Sequence, residues 1–102
     1  MLKSGGIWVS PIEIENTLLE HQAVLEAAVV AGRDENGIEK PVAYIVLTDQ
    51  ALESKIEIEL RNFVRERLAH YKCPKRFIFV DNLPKTATGK IQRFKLRSES
   101  FV

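Results

Sequence analysis

The sequence predicts one α+β domain, in which a small three-stranded sheet is covered by helices and an N-terminal β-hairpin is added. Three observations predict this class: two segments with helical spacing of apolar residues, two strand-like runs joined by an Asn-Gly turn, and a glycine pair near the start. A chain of 102 residues fits one modest core. Residues 1–102 are therefore expected to form a single domain.

The first helix is predicted from a compact start signal at residues 10–13, Ser-Pro-Ile-Glu. Ser10 suits the N-cap, Pro11 suits the first helical position, and the glutamate that follows completes a capping box. Ile14 and Leu18 then lie four residues apart on one face. The helix is expected to end near residue 20.

Two strands are predicted to follow as an antiparallel hairpin. Residues 24–31 form a mostly apolar run that Glu26 interrupts. Residues 41–47 are rich in β-branched and aromatic side chains, and the proline that leads them suits the first position of a strand. Asn36 and Gly37 lie between the runs and favour a hairpin turn.

The second half of the chain predicts a second amphipathic helix, a third strand and a last short helix. Apolar residues recur at helical spacing from Ser54, and the helix should end before residues 71–74, Tyr-Lys-Cys-Pro. Residues 76–80 predict a short strand. A polar loop follows, and residues 93–101 are expected to form the last helix.

Composition argues against several classes of protein. The hydrophobic fraction is 45% and the charged fraction 28%, and no apolar run approaches the roughly 20 residues of a membrane helix. The start lacks a secretory signal and one cysteine cannot form an internal disulfide, so a cytoplasmic protein is expected. A net charge of +1 argues against a general polyanion binder, although cations crowd the C-terminal third. The absence of a linker before the first element suggests a piece of a longer chain.

The loop at residues 84–90, Pro-Lys-Thr-Ala-Thr-Gly-Lys, is the most informative candidate site. Its composition disfavours a helix interior or a central strand, so Lys90 is expected on an ordered surface loop beside the permissive Gly89. A compact ammonium presented in this way suits a carboxylate and a phosphate brought together. The segment lacks the spacing of a Walker A loop. These residues alone leave open whether Lys90 binds a ligand or is only solvated.

The glycine pair near the start is a second candidate. Ser4, Gly5 and Gly6 leave little side chain over the backbone, so a thin ligand can pass beside it, although an ordinary tight turn has the same composition. Trp8, which follows, is expected to be a packing residue.

Residues 71–76 combine an aromatic ring with three cations in an extended segment. This arrangement suits a nucleotide, with the ring against the base, but it also suits a polar connector with an aromatic plug. No metal-binding or nucleophile motif, and no catalytic role, is predicted for Cys73, His21 and His70.

Taken together, residues 3–15 (Lys-Ser-Gly-Gly-Ile-Trp-Val-Ser-Pro-Ile-Glu-Ile-Glu) and residues 84–93 (Pro-Lys-Thr-Ala-Thr-Gly-Lys-Ile-Gln-Arg) resemble two signature motifs of the adenylate-forming superfamily. This superfamily contains acyl-CoA synthetases, peptide synthetase adenylation domains and luciferases. The order and separation of the motifs resemble those of its C-terminal domain, over essentially the whole chain. The Gly-Gly-aromatic-Val-Ser-Pro run is most similar to the benzoate and aryl-CoA ligase branch.

The resemblance implies the lid of an ATP-dependent, AMP-forming carboxylic acid–CoA ligase. A larger N-terminal domain, absent here, would hold ATP, Mg²⁺ and the acid, and the lid would close over it in two orientations. Lys90 would support acyl-adenylate formation in the first. The residues implied to bind CoA and its pantetheine arm in the second are Ser4, Gly5, Gly6, Tyr71 and Lys75. The domain alone is expected to bind no cofactor or metal and to be inactive.

Two alternatives stay open. The basic C-terminal third suits a non-enzymatic module that binds nucleic acid, but Phe77 and Phe79 alternate as strand core residues do, so no nucleic-acid partner is expected. The other alternative is the lid of a peptide synthetase adenylation domain, where a carrier-bound phosphopantetheine replaces CoA.

Overall fold

The structure is a computed structural model that describes residues 2–4, 6–33, 35–48, 53–92 and 95–96. A two-stranded hairpin precedes a three-stranded sheet with helices beside it, which confirms the predicted α+β class. The elements in chain order are β1 (Leu2–Ser4), β2 (Ile7–Val9), α1 (Pro11–Leu19), β3 (Val24–Arg33), β4 (Glu39–Leu47), α2 (Glu53–Arg67), a 3₁₀ turn (His70–Lys72) and β5 (Arg76–Phe79).

Helix α1 begins where the sequence predicts. The Ser10 hydroxyl accepts a hydrogen bond from the backbone N–H of Glu13 at 3.4 Å, which satisfies one of the free donors of the first turn. Ile14 and Leu18 are fully buried. The Glu13 carboxylate lies 2.8 Å from the ammonium of Lys72, so the start of α1 is tied to the segment before β5.

A buried carboxylate joins α1 to the edge of the sheet. Glu15 is buried, and its Oε2 accepts a hydrogen bond from the backbone N–H of Val29 at 2.7 Å. Val29 belongs to β3, which is an outer strand of the sheet. The carboxylate therefore satisfies a donor on an edge strand from inside the domain.

Strands β3 and β4 pair antiparallel as predicted, but both are longer than expected. Strand β4 begins at Glu39, so Pro41 lies inside the strand and its predicted first position is wrong. The Pro41 carbonyl accepts from the N–H of Lys75, on the β5 side, and pairing with β5 begins only at Val42. A missing N–H at this position therefore removes no ladder hydrogen bond.

Strand β3 contains a bulge at Leu25. Val24 and Glu26 pair with consecutive residues of β4, so Leu25 is the extra residue, and it is 57% exposed. Because side chains alternate along a strand, the bulge lets Val24 share the helix-covered face with Ala27, whereas Glu26 lies on the opposite face.

Each face of the sheet has its own apolar cover. Helix α2 packs on one face of the sheet together with α1 and the hairpin. Its residues in this cluster are Ile56, Leu60 and Val64. The chain after β5 covers the opposite face through Leu83, Ile91 and Leu96. Strand β5 runs parallel to β4, with α2 in the connection between them. Helices therefore cover one face, and an irregular segment covers the other.

Trp8 does not pack in the core as predicted. Its side chain is 59% exposed, and the ammonium of Lys3 lies 4.9 Å from its ring centroid. In the β1–β2 hairpin Leu2 pairs with Val9 and both face the core, so the neighbouring Lys3–Trp8 pair must face outward.

Residues 93–101, where a last helix is predicted, lie outside the described residues except for 95 and 96. Within the described ranges, no helix has the length and apolar character that crossing a bilayer requires.

The core position of Leu60 predicts a large effect on stability. Leu60→Ala removes a fully buried side chain and should lower the free energy of unfolding by about 2–5 kcal/mol. Ile58→Ala is the matched control, because Ile58 lies in the same helix and is 64% exposed, and its effect should stay below about 0.5 kcal/mol. Urea denaturation of the isolated domain measures both. Equal effects would contradict the described packing of α2.

Candidate functional site

The segment that carries Lys90 is a tight turn on a short antiparallel base. Lys85 and Ile91 form an antiparallel bridge, and the N–H of Gln92 donates to the carbonyl of Pro84 at 2.8 Å. Residues 85–90 are exposed. The prediction of an ordered surface loop is therefore confirmed.

Thr86 fixes the backbone of this turn. Its N–H donates to the Lys90 carbonyl at 2.8 Å, and its hydroxyl oxygen accepts the Lys90 N–H at 3.1 Å. The Thr86 carbonyl accepts from the N–H of Gly89 at 2.9 Å, and its hydroxyl lies 2.9 Å from that of Thr88. Gly89 has φ +87°, a conformation that other residues rarely adopt. Both backbone polar groups of Lys90 are thus held by one residue.

The ammonium of Lys90 is left available by this arrangement. Lys85, at the base of the turn, is paired with Glu26, whereas Lys90 has no ion-pair partner among the residues that the structure describes. A cation on an ordered turn without an internal partner can meet the negative groups of a ligand at a low entropic cost.

A cleft of about 440 Å³ lies at the other end of the sheet. It brings together Ser4, Tyr71 and Lys75, which the sequence analysis placed in one binding set. The hydroxyl of the buried Ser4 donates to the Tyr71 carbonyl at 2.6 Å, so strand β1 is fastened to the 3₁₀ turn. Gly6 is exposed beside this strand with φ +91°, and Gly5 lies outside the described residues.

The cleft also contains cations that the sequence analysis did not single out. Lys40, Arg61 and Arg65 line it together with Lys75. Arg61 is held firmly, since its Nη1 donates to the Pro74 carbonyl at 3.1 Å and its guanidinium lies 5.1 Å from the ring centroid of Phe77. In the sequence, the feature that indicates these two cations is the spacing of Arg61 and Arg65, which lie four residues apart on one face of a helix. Only the fold shows that this face meets the segment around Lys75.

Cys73 lies in the same cleft as a half-buried thiol. Burial raises its pKa above the usual 9.0, and the nearby Arg61 and Arg65 offset only part of this effect. The group is therefore a neutral thiol near pH 7, which is unfavourable for a nucleophile.

The histidine near α1 has a packing role. Nδ1 of His21 accepts from the N–H of Ala23 at 3.1 Å, while Nε2 contacts the carboxylate of Glu59 on α2. Across the described part of the chain, no three His, Cys, Asp or Glu side chains gather as a metal site would require.

The lysine turn and the cleft lie at opposite ends of β4. Lys40 and Lys75 stand where β4 and β5 begin, whereas Lys85 contacts Glu26, which pairs with Val46 near the end of β4. The six steps from Lys40 to Val46 span about 20 Å at roughly 3.3 Å per residue. The two surfaces are therefore too far apart to contact the same atom of a ligand.

The small α+β fold thus carries two cationic surfaces, one at each end of β4. Residues 13–90 match the family described as AMP-binding enzyme C-terminal domain, and this chain belongs to that family. The match confirms the resemblance noted from the two motifs. It covers most of α1 and all of α2, the three-stranded sheet and the lysine turn.

Relatives named as aryl-acid ligases match nearly the whole chain. A benzoate–CoA ligase from Thauera aromatica is 56% identical over 99 residues, which are 96% of this chain and 19% of that protein. A 4-hydroxybenzoate–CoA/benzoate–CoA ligase from Rhodopseudomonas palustris is 42% identical over 95% of this chain and 18% of its own length. This chain thus spans about a fifth of the curated relatives that it matches.

Solved structures share the fold. A benzoate CoA ligase from Burkholderia xenovorans LB400 matches with a TM-score of 0.81 and 54% identity, covering 88% of this chain and 18% of that one. An anthranilate CoA ligase solved with anthranoyl-AMP matches with a TM-score of 0.93 and 49% identity, covering 99% and 20% of the two chains.

The hydrogen bonds of Thr86 predict how order in the lysine turn can be lost. Thr86→Val keeps the shape of the side chain but removes the acceptor of the Lys90 N–H, so amide exchange at Lys90 should speed up by about fivefold. Thr86→Ser keeps the hydroxyl and should retain most of the protection. Hydrogen exchange followed by NMR on the isolated domain measures both variants. Unchanged exchange in Thr86→Val would show that this hydroxyl does not hold the turn.

Proposed function

We propose that this chain is the C-terminal lid of an ATP-dependent, AMP-forming ligase that joins benzoate or a related aryl acid to CoA. Family membership and the names of the relatives support the ligase class and the aryl acid. The observation that carries the proposal is the ammonium of Lys90, presented from an ordered turn without an internal ion-pair partner among the described residues. The partner of the lid is the N-terminal domain of the same enzyme.

The role of Lys90 follows from the charge that develops in the first half-reaction. A carboxylate oxygen of the acid forms a bond to the α-phosphorus of ATP while the bond to pyrophosphate breaks. Negative charge then shifts over the phosphate oxygens and the leaving group. An ammonium placed between the carboxylate and the α-phosphate stabilises this arrangement more than the separated substrates.

The cleft has the chemistry that the second half-reaction needs. The CoA thiol attacks the carbonyl carbon of the acyl-adenylate, and the bond to AMP breaks. The phosphates of CoA would meet Lys75 and its neighbouring cations, with Tyr71 against the base. The pantetheine arm would pass the turn at Gly5 and Gly6, beside Ser4. The separation of turn and cleft supports a lid that reorients between the two steps.

The remaining components belong outside this domain. Mg²⁺ would be bound with ATP in the N-terminal domain, since the described residues offer no carboxylate cluster of their own. The reaction consumes ATP and CoA, and we place the protein in the cytoplasm. CoA is favoured over a carrier protein as acceptor because the relatives are named as CoA ligases.

The assignment of Lys90 predicts a selective defect. In the full-length enzyme, Lys90→Ala should slow acyl-adenylate formation by about 10² to 10³, because a positioned donor to developing charge is lost. Thioester formation from supplied adenylate should stay within about twofold. Lys90→Arg should restore activity only in part, since a planar fork cannot occupy the same point. Single-turnover kinetics of each half-reaction is the measurement. Equal slowing of both steps would remove Lys90 from its proposed role.

The glycine turn predicts the opposite defect. A Cβ at Gly6 meets no atom within 4 Å in this domain, so Gly6→Leu adds bulk only toward the outside, where the pantetheine arm would pass. Thioester formation should fall by at least about tenfold, with adenylation nearly intact. Gly6→Ala is the matched control, because it carries the same strain at φ +91° with far less bulk. If Gly6→Ala slows thioester formation as much as Gly6→Leu does, the loss is explained by backbone strain and not by a blocked channel.

A further inference from the structure

We propose that Glu26 is a positioning residue for adenylate formation, because it holds Lys85 and thereby fixes the base of the turn that presents Lys90. The inference rests on the function proposed above, in which Lys90 acts in the first half-reaction. Glu26 lies in β3, far from Lys90 in sequence and outside both motifs. Its ion pair with Lys85 is the contact that joins them.

The regular alternation after the bulge in β3 places Glu26 on the face that carries the turn. The extra residue Leu25 shifts the alternation of side chains, so Val24 and Ala27 both pack toward the helices. Glu26 precedes Ala27 directly and therefore lies on the other face, which the chain after β5 covers with Leu83. Without the shift, Val24 and Glu26 would lie on the same face. The bulge therefore lets Val24 join the core while Glu26 stays on the face of the turn.

Lys85 connects Glu26 to the base of the turn that presents Lys90. It forms the antiparallel bridge with Ile91, the residue next to Lys90. Ile91 packs against the apolar cluster on the face opposite the helices, which contains Leu83 and Leu96. This packing anchors one side of the base. On the other side, the Lys85 ammonium contacts the Glu26 carboxylate. The turn above this base is closed by Thr86, so a fixed base gives a fixed position for the Lys90 backbone.

The size of the effect follows from the exposure of the pair. The Lys85 side chain is 39% exposed and that of Glu26 is 24% exposed, so water and salt screen the attraction in part. Adenylation depends on the fraction of molecules in which Lys90 is in place. Loss of a pair with this exposure should therefore lower the rate by about two- to fivefold. The loss should shrink at high salt, where the wild-type pair is also weakened.

The test is Glu26→Gln in the full-length enzyme, with single-turnover kinetics of both half-reactions. We expect adenylation to fall by about two- to fivefold while thioester formation from supplied adenylate is unchanged. Glu13→Gln is the matched control, because it removes the similarly exposed ion pair with Lys72, which joins two other elements. It should leave adenylation unchanged.

A double-mutant cycle and a charge exchange make the test specific. Lys85→Met should slow adenylation to a similar extent, and adding it to Glu26→Gln should cause little further loss. The exchange of the two charges, Glu26→Lys with Lys85→Glu, should recover most of the rate. Additive losses, no recovery, or equal slowing of both half-reactions would overturn the inference. Normal adenylation in Glu26→Gln would overturn it as well, provided that Lys90→Ala is defective. If Lys90→Ala is also normal, the proposed function itself fails.

Discussion

The hydrogen-bonded register of the central strand β4 is the constraint on which the rest of the structure depends. It pairs with β3 on one side and β5 on the other, and its side chains pack on both faces of the sheet. A slip by one residue would exchange the two faces, and it would bury the wrong side chains on both. The same register places the cleft at the beginning of the strand and the lysine turn near its end. Core packing and the separation of the two surfaces thus have one origin.

The elements with strong local signals could be predicted from the sequence. The Ser10 cap, the Asn-Gly turn and the spacing of apolar residues in α2 each depend on neighbours within a few residues. The bulge at Leu25 could not be predicted, because it satisfies two faces of a sheet whose covering segments are distant in the chain. The exposure of Trp8 could not be predicted either. Its strand neighbours occupy the core side of a short hairpin, and a ring of this size is otherwise a common core residue.

The candidate site could be predicted only in part, because some of its contacts join segments that are distant in the chain. The composition of residues 84–90 indicates an exposed, ordered lysine, and the motif resemblance identifies which lysine it is. Thr86 forms hydrogen bonds with both the N–H and the carbonyl of Lys90. These bonds depend on the backbone geometry of the turn, which composition does not determine. Arg61 and Arg65 enter the cleft because α2 packs beside the segment before β5. A helix face with two arginines is in most sequences simply solvated.

The buried carboxylate of Glu15 has a consequence for how the domain behaves in solution. An outer strand with free donors invites pairing with a strand from another molecule, and a lid that reorients, as proposed above, would expose its edges at every cycle. At Val29 the donor of β3 is already occupied from within by Glu15. Another chain could extend the sheet at this point only by displacing this buried carboxylate from its hydrogen bond, which is costly. The β3 edge is therefore protected at Val29 against pairing with another chain.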